Sequence, residues 1–513
     1  MSEPMLVHSE GPRRLWITWL LPAATLALHL ATCAGYGYFR DELYYLANGE
    51  HLGFGYVEHP PLIGLIAWFV RRTIGDSLFA IRLLPAVAAA ATVWMTMGIA
   101  REIGGERVAQ ALAGLSAMLA PSFLGLFGVF TMNAFDLVFW AALWWIAARY
   151  LRTGRERLWL AFGLVAGLGL ENKISVLFLG FGLVAGLLLG RRWDTFRSRW
   201  IWLGGAVAAL LFLPHLLWQI ANGWPTLEFM RNAVAEKNVA LDPAAFFGTQ
   251  AINTFGTLPV WIAGLGYLLL VRAARPFRPL AWAFLAVAGI MLTTNAKSYY
   301  LVPAFVALFA AGGVALERLG ATGLATTTRT VVMVSVVAGG IAAAPIAKAI
   351  LPEDTYVRYA EALGVAPPQE ERQSLGRLPQ MFADMHGWRE LAEAVAVVHR
   401  SLPSDERARA CVFAHNYGQA GAIDLFGPPL GLPKAISGHN SYFLWGPRDC
   451  TGEVIIIIGG TRDDHASDFA SFELGTTFTC IDCMPYENSK AIWIARGLKV
   501  PMRTAWPGTR NYI

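Results

Sequence analysis

Two short segments near the start of the chain concentrate acids, a histidine and aromatic side chains in an otherwise apolar region. They read Arg40-Asp41-Glu42-Leu43-Tyr44-Tyr45 and Glu58-His59-Pro60-Pro61-Leu62. Carboxylates beside aromatic residues at a membrane edge are partly desolvated, which raises their pKa and suits them to general-base chemistry. We therefore predict Asp41, Glu42 and Glu58 as catalytic groups. For Asp41 and Glu42 the alternative is a solvated acidic pair without chemistry.

Two lysines at the borders of apolar runs are candidates to bind a lipid phosphate. Lys173 follows Glu171-Asn172, and Lys297 precedes Ser298-Tyr299-Tyr300. A basic residue at membrane depth is a functional candidate by default, although a lysine that extends to the headgroup layer needs no function. We predict Lys173 and Lys297 as phosphate ligands, with His59 and Arg40 as further candidates.

A third polar group lies in Phe130-Thr131-Met132-Asn133-Ala134-Phe135-Asp136. Asn133 and Asp136 stand at a turn between two apolar runs, where they could orient a substrate. A divalent cation at Asp136 is a further alternative, and helix capping by these residue types is another. We predict Asn133 and Asp136 as substrate-binding residues, together with three tyrosines: Tyr44, Tyr299 and Tyr300.

The elements that must position these groups are membrane helices. The chain has 513 residues, of which 55% are hydrophobic and 15% charged, against about 25% charge in a soluble domain. Mean hydropathy is +0.45. A run of about 20 apolar residues crosses a bilayer. We predict about eleven spans, at 15–33, 78–100, 108–130, 134–148, 158–170, 174–189, 201–220, 246–271, 280–292, 299–316 and 331–350.

Arginines indicate the orientation of these spans, because basic residues favour cytoplasmic loops. Arg13 and Arg14 precede the first run, and further arginines fill alternate loops. The N-terminus is therefore predicted in the cytoplasm of a multi-pass inner-membrane protein. The acidic segments are placed outside, within an external loop at 35–76. The short run Pro60–Ile74 is predicted as an interfacial helix.

Polar residues return from about residue 351, which divides the chain into a membrane domain, 1–350, and an extracytoplasmic domain, 351–513. Strand-like runs at 410–414, 453–458 and 491–495 alternate with helical stretches at 386–398 and 417–426. This alternation predicts a small α/β domain. A disulfide is expected among its four cysteines, for example Cys450 with Cys480 or Cys483.

The membrane half resembles the bacterial branch of the dolichyl-phosphate-mannose protein mannosyltransferase family, which includes the lipid A aminoarabinose transferases and has the GT-C fold. Besides the two acidic segments and Lys173, the resemblance rests on Lys297-Ser298-Tyr299-Tyr300-Leu301-Val302-Pro303. The chain departs from the aminoarabinose transferases at His59, where those enzymes have lysine. It departs again at Asn133, where many relatives have an acid.

The resemblance implies an inverting glycosyltransferase that moves a sugar from a polyprenyl-phosphate donor to an acceptor on the outer face. The acceptor is a lipid, a polysaccharide or a protein. Asp41 is then the catalytic carboxylate, and the outer lysines hold the donor phosphate. No nucleic-acid partner is expected. A transporter or lipid flippase is the alternative, and a substrate-presenting subunit without catalysis is another.

Overall fold

The computed structural model describes residues 15–239, 241–294, 296–366 and 371–513. Within these ranges the chain is mostly helical, with one small sheet. The elements are α1 (Leu15–Ala31), α2 (Arg40–Glu50), α3 (Leu62–Thr73), α4 (Leu78–Glu102), α5 (Arg107–Leu119), α6 (Pro121–Leu126), α7 (Met132–Thr153), α8 (Leu158–Asn172), α9 (Val176–Leu189), α10 (Arg199–Ala221), α11 (Pro225–Asn232), α12 (Pro243–Asn253), α13 (Leu258–Leu270), α14 (Arg278–Thr293), α15 (Phe305–Glu317), α16 (Gly323–Ala347), α17 (Glu353–Ala362), α18 (Gln380–Ala383), α19 (Trp388–Ser401), α20 (Ser404–Arg409), β1 (Ala410–Ala414), α21 (Tyr417–Phe426), α22 (Ser441–Leu444), β2 (Val454–Ile458), α23 (Arg462–His465), β3 (Phe469–Phe478), β4 (Lys490–Leu498) and α24 (Met502–Ala505).

Each predicted apolar run coincides with a helix or a helix pair. Among the described residues, six helices are long and apolar enough to cross a membrane, or seven when α12 and α13 count as one bent span. This makes the chain a multi-pass membrane protein, while the number eleven stays a prediction. Arg13 and Arg14 lie outside the described residues.

Two of the predicted spans are interrupted. The run at 108–130 ends as α5 and restarts as α6, because Pro121 cannot donate a backbone hydrogen bond and forces Ala120 into an extended conformation. The run at 246–271 bends by 114° between α12 and α13. The short run Pro60–Ile74 forms the helix α3, and its place at the membrane interface stays a prediction.

The sheet of the C-terminal part has the strand order β1-β2-β4-β3. Strands β1 and β2 are parallel, and β4 is antiparallel to both β2 and β3. A disulfide joins Cys411 on β1 to Cys450 ahead of β2. The expected pairing of Cys450 with Cys480 or Cys483 is therefore wrong, and both of these are free thiols.

Helix α21 attaches the C-terminal part to the membrane half by packing on α2. Two glycines make the close approach feasible. A Cβ atom on Gly421 would lie 2.9 Å from the backbone of Leu43, and one on Gly418 would lie 2.5 Å from the Arg40 side chain. The helix can therefore bring its first residue, Tyr417, onto the N-terminus of α2. The division of the chain at residue 350 stays a prediction.

Candidate active site

Asp41 lies in the first turn of α2, and its side chain is 28% exposed. One carboxylate oxygen accepts a hydrogen bond of 2.9 Å from the Tyr417 hydroxyl. The same oxygen lies 3.9 Å from the Arg40 Nε atom. No other hydrogen bond to this carboxylate is formed by the described residues. Asp41 thus combines a fixed orientation with a second oxygen that can meet a substrate.

Arg40 is held by residues of the C-terminal part. Its guanidinium donates to the Tyr486 hydroxyl and lies 3.6 Å from the Asp384 carboxylate, and its backbone N–H donates to the Asp384 carbonyl. Burial raises the pKa of Asp384 to about 6, although Arg40 opposes this shift. The Arg40 guanidinium is therefore held by Tyr486 and Asp384 beside Asp41, which does not fit the predicted role of phosphate ligand.

Glu42 points away from Asp41 into the protein, where its side chain is fully buried. Its two oxygens accept bonds of 2.8 Å from Arg82 on α4, in a bidentate pair. They also accept the backbone N–H groups of Phe39 and Phe130. All acceptor positions of this carboxylate are occupied within the fold. The prediction of a catalytic Glu42 is therefore corrected: this residue fixes α2 against the helical bundle.

Glu58 lies across the aromatic side chains of α2 from Asp41. It accepts 2.9 Å from the Tyr44 hydroxyl and 3.2 Å from the Asn440 amide. Burial raises its pKa to about 7, and the nearby Asp41 adds to the rise. Tyr44 is only 1% exposed, so it supports Glu58 and is not available as the substrate contact predicted for it.

His59 does not fit the phosphate-binding role predicted for it. The side chain is 1% exposed, and both ring nitrogens have partners: the Asn48 amide at 3.0 Å and the Pro60 carbonyl at 2.8 Å. Burial lowers its pKa to about 4. The imidazole is therefore neutral at pH 7 and unable to supply positive charge to a phosphate.

Lys297 meets a second lysine through a shared acid. Its ammonium donates 2.7 Å to Glu371, whose carboxylate also lies 3.7 Å from Lys237. Burial lowers the pKa of Lys237, and the positive charges of Arg40 and Lys297 lower it further. The negative charges of Glu371 and Asp41 raise it. Lys237 is therefore within electrostatic reach of Asp41, and it brings Lys297 into the same cluster.

Lys173 belongs to a neighbouring group of polar side chains. Its ammonium donates 2.7 Å to the Asn133 amide oxygen and lies 3.9 Å from Asp136. It also lies 4.1 Å from the centre of the Tyr300 ring and 6.0 Å from that of Tyr299. The predicted residues Lys173, Asn133, Asp136, Tyr299 and Tyr300 are thus brought together.

Tyr45 connects this group to Asp41. Burial raises the pKa of Tyr45 well above its ordinary value, and nearby Asp41, Glu58 and Tyr300 raise it further. The tyrosine therefore lies within electrostatic reach of both groups.

Asp136 does not cap a helix. Its carboxylate accepts 2.6 Å from the Ser175 hydroxyl, and no side chain caps the start of α7. Across the described ranges, no group of three or more His, Cys, Asp or Glu side chains is placed to hold a metal ion. The divalent cation at Asp136 considered from the sequence stays a prediction.

Several residues of the site were not predicted from the sequence: Lys237, Glu371, Asp384, Tyr417, Asn440 and Tyr486. Lys237 ends a single π-helical turn at Ala233–Lys237, a feature frequent at functional sites. Asn440 has a backbone φ of 49°, which is strained for a residue with a side chain. Both signals belong to the backbone and are invisible in the sequence. In the sequence, Tyr417 and Asn440 stand in the polar and aromatic segments Asn416-Tyr417-Gly418 and Gly438-His439-Asn440-Ser441-Tyr442, which are a weak hint of a site.

Residues 58–218 match the family described as Dolichyl-phosphate-mannose-protein mannosyltransferase. In structure, the chain is similar to ArnT from Cupriavidus metallidurans bound to undecaprenyl phosphate, with a TM-score of 0.60 and 14% identity over 93% of this chain and 97% of ArnT. For ArnT in the apo state the TM-score is 0.59 and the identity 16%, over 94% and 98%. The chain has the GT-C fold.

This GT-C chain is also similar to the Archaeoglobus fulgidus oligosaccharyltransferase in the apo form, with a TM-score of 0.51 and 12% identity over 80% of this chain and 64% of that one. No curated protein matches it significantly in sequence. The GT-C fold predicted from the sequence is therefore confirmed, and the predicted family is matched over residues 58–218. The roles of the individual site residues stay proposals, because the family match begins after Asp41 and ends before Lys237.

Proposed function

We propose that this glycosyltransferase moves a sugar, with inversion, from a polyprenyl-phosphate donor to a hydroxyl or amine of an acceptor at the extracytoplasmic edge of the membrane. The acceptor is a lipid, a polysaccharide or a protein. The observation that carries the proposal is that Asp41 lies beside Arg40, while Lys237 and Lys297 share Glu371 within electrostatic reach of Asp41. A partly exposed base beside two cations is what direct displacement of a phosphate leaving group requires.

Asp41 is the proposed base. In an inverting transfer, the acceptor group attacks the sugar carbon from the face opposite the phosphate and must lose its proton. Tyr417 and Arg40 fix one edge of the Asp41 carboxylate, so the remaining oxygen can accept that proton without reorientation. Glu58 is the second acid near this position, and we assign it to orienting the donor.

The lysines are the proposed phosphate ligands. Negative charge grows on the phosphate as the sugar–oxygen bond breaks, and cations placed there in advance stabilise the transition state. Lys237 and Lys297 lie on the Asp41 side of the site. Lys173, with Tyr299 and Tyr300 against it, lies toward the membrane helices, where the polyprenyl chain would enter.

The proposed orientation places the C-terminal part outside the cell, with the N-terminus in the cytoplasm of the inner membrane. Two observations support it. The external loops around Arg40 and Lys297 contact the C-terminal part through Asp384 and Glu371, so all of these lie on one side. The Cys411–Cys450 disulfide is typical of an oxidising compartment.

The function is tested by comparing envelope glycans and glycolipids of a deletion strain with those of its parent by mass spectrometry. We expect one sugar to be missing from one acceptor, and to return when the wild-type gene is supplied. Identical glycan profiles would contradict a transferase. Loss of uptake of a labelled solute, without loss of any covalent product, would favour a transporter instead.

Glu371→Gln is expected to increase affinity for a polyprenyl phosphate by about tenfold. Burial acts to raise the pKa of Glu371, but Lys237, Lys297 and Arg40 hold it below the ordinary value. Glu371 is therefore charged and repels a phosphate that approaches the same lysines, by an energy on the order of 1–2 kcal/mol at a separation of about 5 Å. The measurement is a binding titration of the purified protein with a short-chain polyprenyl phosphate.

Glu361→Gln is the matched control for this titration. It removes the same charge from an exposed position on α17 and should leave the affinity unchanged. Lys297→Met should weaken binding. Weaker binding by Glu371→Gln would contradict the prediction and would mean that Glu371 mainly holds the lysines in place.

Glu58→Gln is expected to make thermal stability less dependent on pH. The pKa of Glu58 is about 7 in the folded protein against 4.5 ordinarily, so the folded state binds this proton more tightly. Wild-type stability therefore falls as pH rises from about 4.5 to 7, by on the order of 3 kcal/mol. The neutral amide removes this loss. Melting temperatures of the two proteins in detergent should be close at pH 4.5 and separate by pH 8; parallel curves would contradict the assigned pKa.

A further inference from the structure

Cys480 and Cys483 form a contacting pair of thiols that the transfer reaction does not use. They lie in the loop between β3 and β4, where Cys480 is half-buried and Cys483 is buried. The Cys483 thiol donates to the Cys480 carbonyl oxygen at 3.0 Å. This contact brings the two cysteines, three positions apart in one loop, next to each other, and a disulfide between them requires the two sulfurs to come into bonding distance.

The surroundings of Cys480 favour its thiolate. The Cys480 sulfur packs against Gly387, the residue that precedes α19, so closely that a Cβ atom there would lie 2.8 Å away. Helix N-termini stabilise negative charge. The hydrogen bond from Cys483 lowers the pKa of Cys480, and the backbone N–H groups of Cys483 and Asp482 also favour the anion. The hydrogen bond with Cys480, together with burial, raises the pKa of Cys483.

The same loop holds a residue of the site. Three residues after Cys483, the Tyr486 hydroxyl accepts from Arg40, which orients Asp41. Glu487 accepts from the side chains of Asn416 and Gln419 at the start of α21. A change in the covalent state of the two thiols would therefore reach the Arg40–Asp41 pair through only a few bonds.

We propose that Cys480 and Cys483 are a redox-active dithiol that exchanges with disulfides at the outer face. The Cys480 thiolate attacks one sulfur of an oxidant's disulfide, which forms a mixed disulfide and releases one thiolate. Cys483 then loses its proton and attacks the Cys480 sulfur, which forms the Cys480–Cys483 bond and releases the second thiolate. Two electrons and two protons leave the protein, and the oxidant is reduced to two thiols.

The thiol chemistry is tested on the purified full-length protein with glutathione disulfide, without donor or acceptor. We expect the peptide that carries both cysteines to lose two hydrogens by mass spectrometry, and reduced glutathione to reverse the loss. Cys483→Ser should stop at the mixed disulfide, with glutathione on Cys480. Cys480→Ser should capture no glutathione. Cys33, a buried free thiol of the membrane half, is the internal control and should alkylate at least about tenfold more slowly than Cys480.

Three outcomes would overturn the proposal: two thiols that stay reduced, a Cys480–Cys483 bond that glutathione cannot reduce, or capture of glutathione by Cys480→Ser. The effect on transfer rests on the proposed function and is measured separately. Oxidised and reduced wild-type protein should differ in transfer rate, whereas a Cys480→Ser/Cys483→Ser double variant should respond to neither reagent. If the chain proves not to be a transferase, the first experiment still decides the thiol chemistry.

Discussion

Asp41→Asn is expected to abolish transfer, with a fall in turnover of about a thousandfold. Asparagine keeps the size of the side chain and can still accept from Tyr417, so the geometry at the start of α2 persists. It cannot take a proton from the acceptor, and positioned general bases contribute factors of about 10² to 10⁴. The measurement is the rate of sugar transfer by purified variant and wild-type protein from the donor identified in the deletion strain.

Two comparisons make the Asp41 result specific. The melting temperature of Asp41→Asn should be close to that of the wild type, because the side chain is partly exposed and asparagine can still accept the hydrogen bond from Tyr417. Tyr417→Phe removes the 2.9 Å hydrogen bond to Asp41 but leaves the base in place, so its loss should be smaller, about tenfold. Near-normal turnover by Asp41→Asn would refute the role of Asp41 and with it the mechanism proposed here.

The helical part of the fold could be predicted because its signal is local. An apolar run long enough to cross a bilayer forms a helix, because its backbone hydrogen bonds must be satisfied within the run. Each predicted run proved helical. The interruptions were harder to see. Pro121 marks one in the sequence, whereas the 114° bend between α12 and α13 depends on neighbours packed against it.

The strands of the sheet could likewise be predicted only where their signal is local. Strands β1 and β2 are almost wholly buried and read as apolar runs, so they were predicted. Strand β3 was missed, because most of its residues are exposed and its sequence lacks a regular apolar alternation. It is stabilised by pairing with β4, a partner that only the tertiary structure reveals.

The site was predicted as a set of residue types but not as a set of roles. Arg40, Asp41 and Glu42 are adjacent in sequence, yet the helix turns their side chains toward different partners. Those partners are Asp384, Tyr417 and Arg82, which lie far away in the chain. His59 shows the same effect, since burial lowers its pKa and removes the charge that its residue type suggested. A role that depends on a distant partner cannot be seen in a local motif.

Glu42→Ala is expected to destabilise the folded protein strongly, by about 3–5 kcal/mol. The substitution leaves the Arg82 guanidinium buried, 3% exposed, without its bidentate partner, and breaking one half of a buried ion pair costs about this much. It also leaves the Phe39 and Phe130 backbone N–H groups without their acceptor. We expect a large fall in melting temperature and in the monodisperse fraction after extraction in detergent.

The neighbouring residue provides the control. Asp41→Ala removes the same charge one position earlier on the helix, where the Tyr417 hydrogen bond is lost but no bidentate pair is broken, and should lower the melting temperature much less. A double variant, Glu42→Leu with Arg82→Met, replaces both charges by apolar groups. It distinguishes the loss of the ion pair from the cost of leaving one charge buried without a partner. Such replacements are often neutral or stabilising, so the double variant should be more stable than Glu42→Ala. If Glu42→Ala were as stable as the wild type but inactive, the carboxylate would act in the reaction, and its assignment to the fold would be wrong.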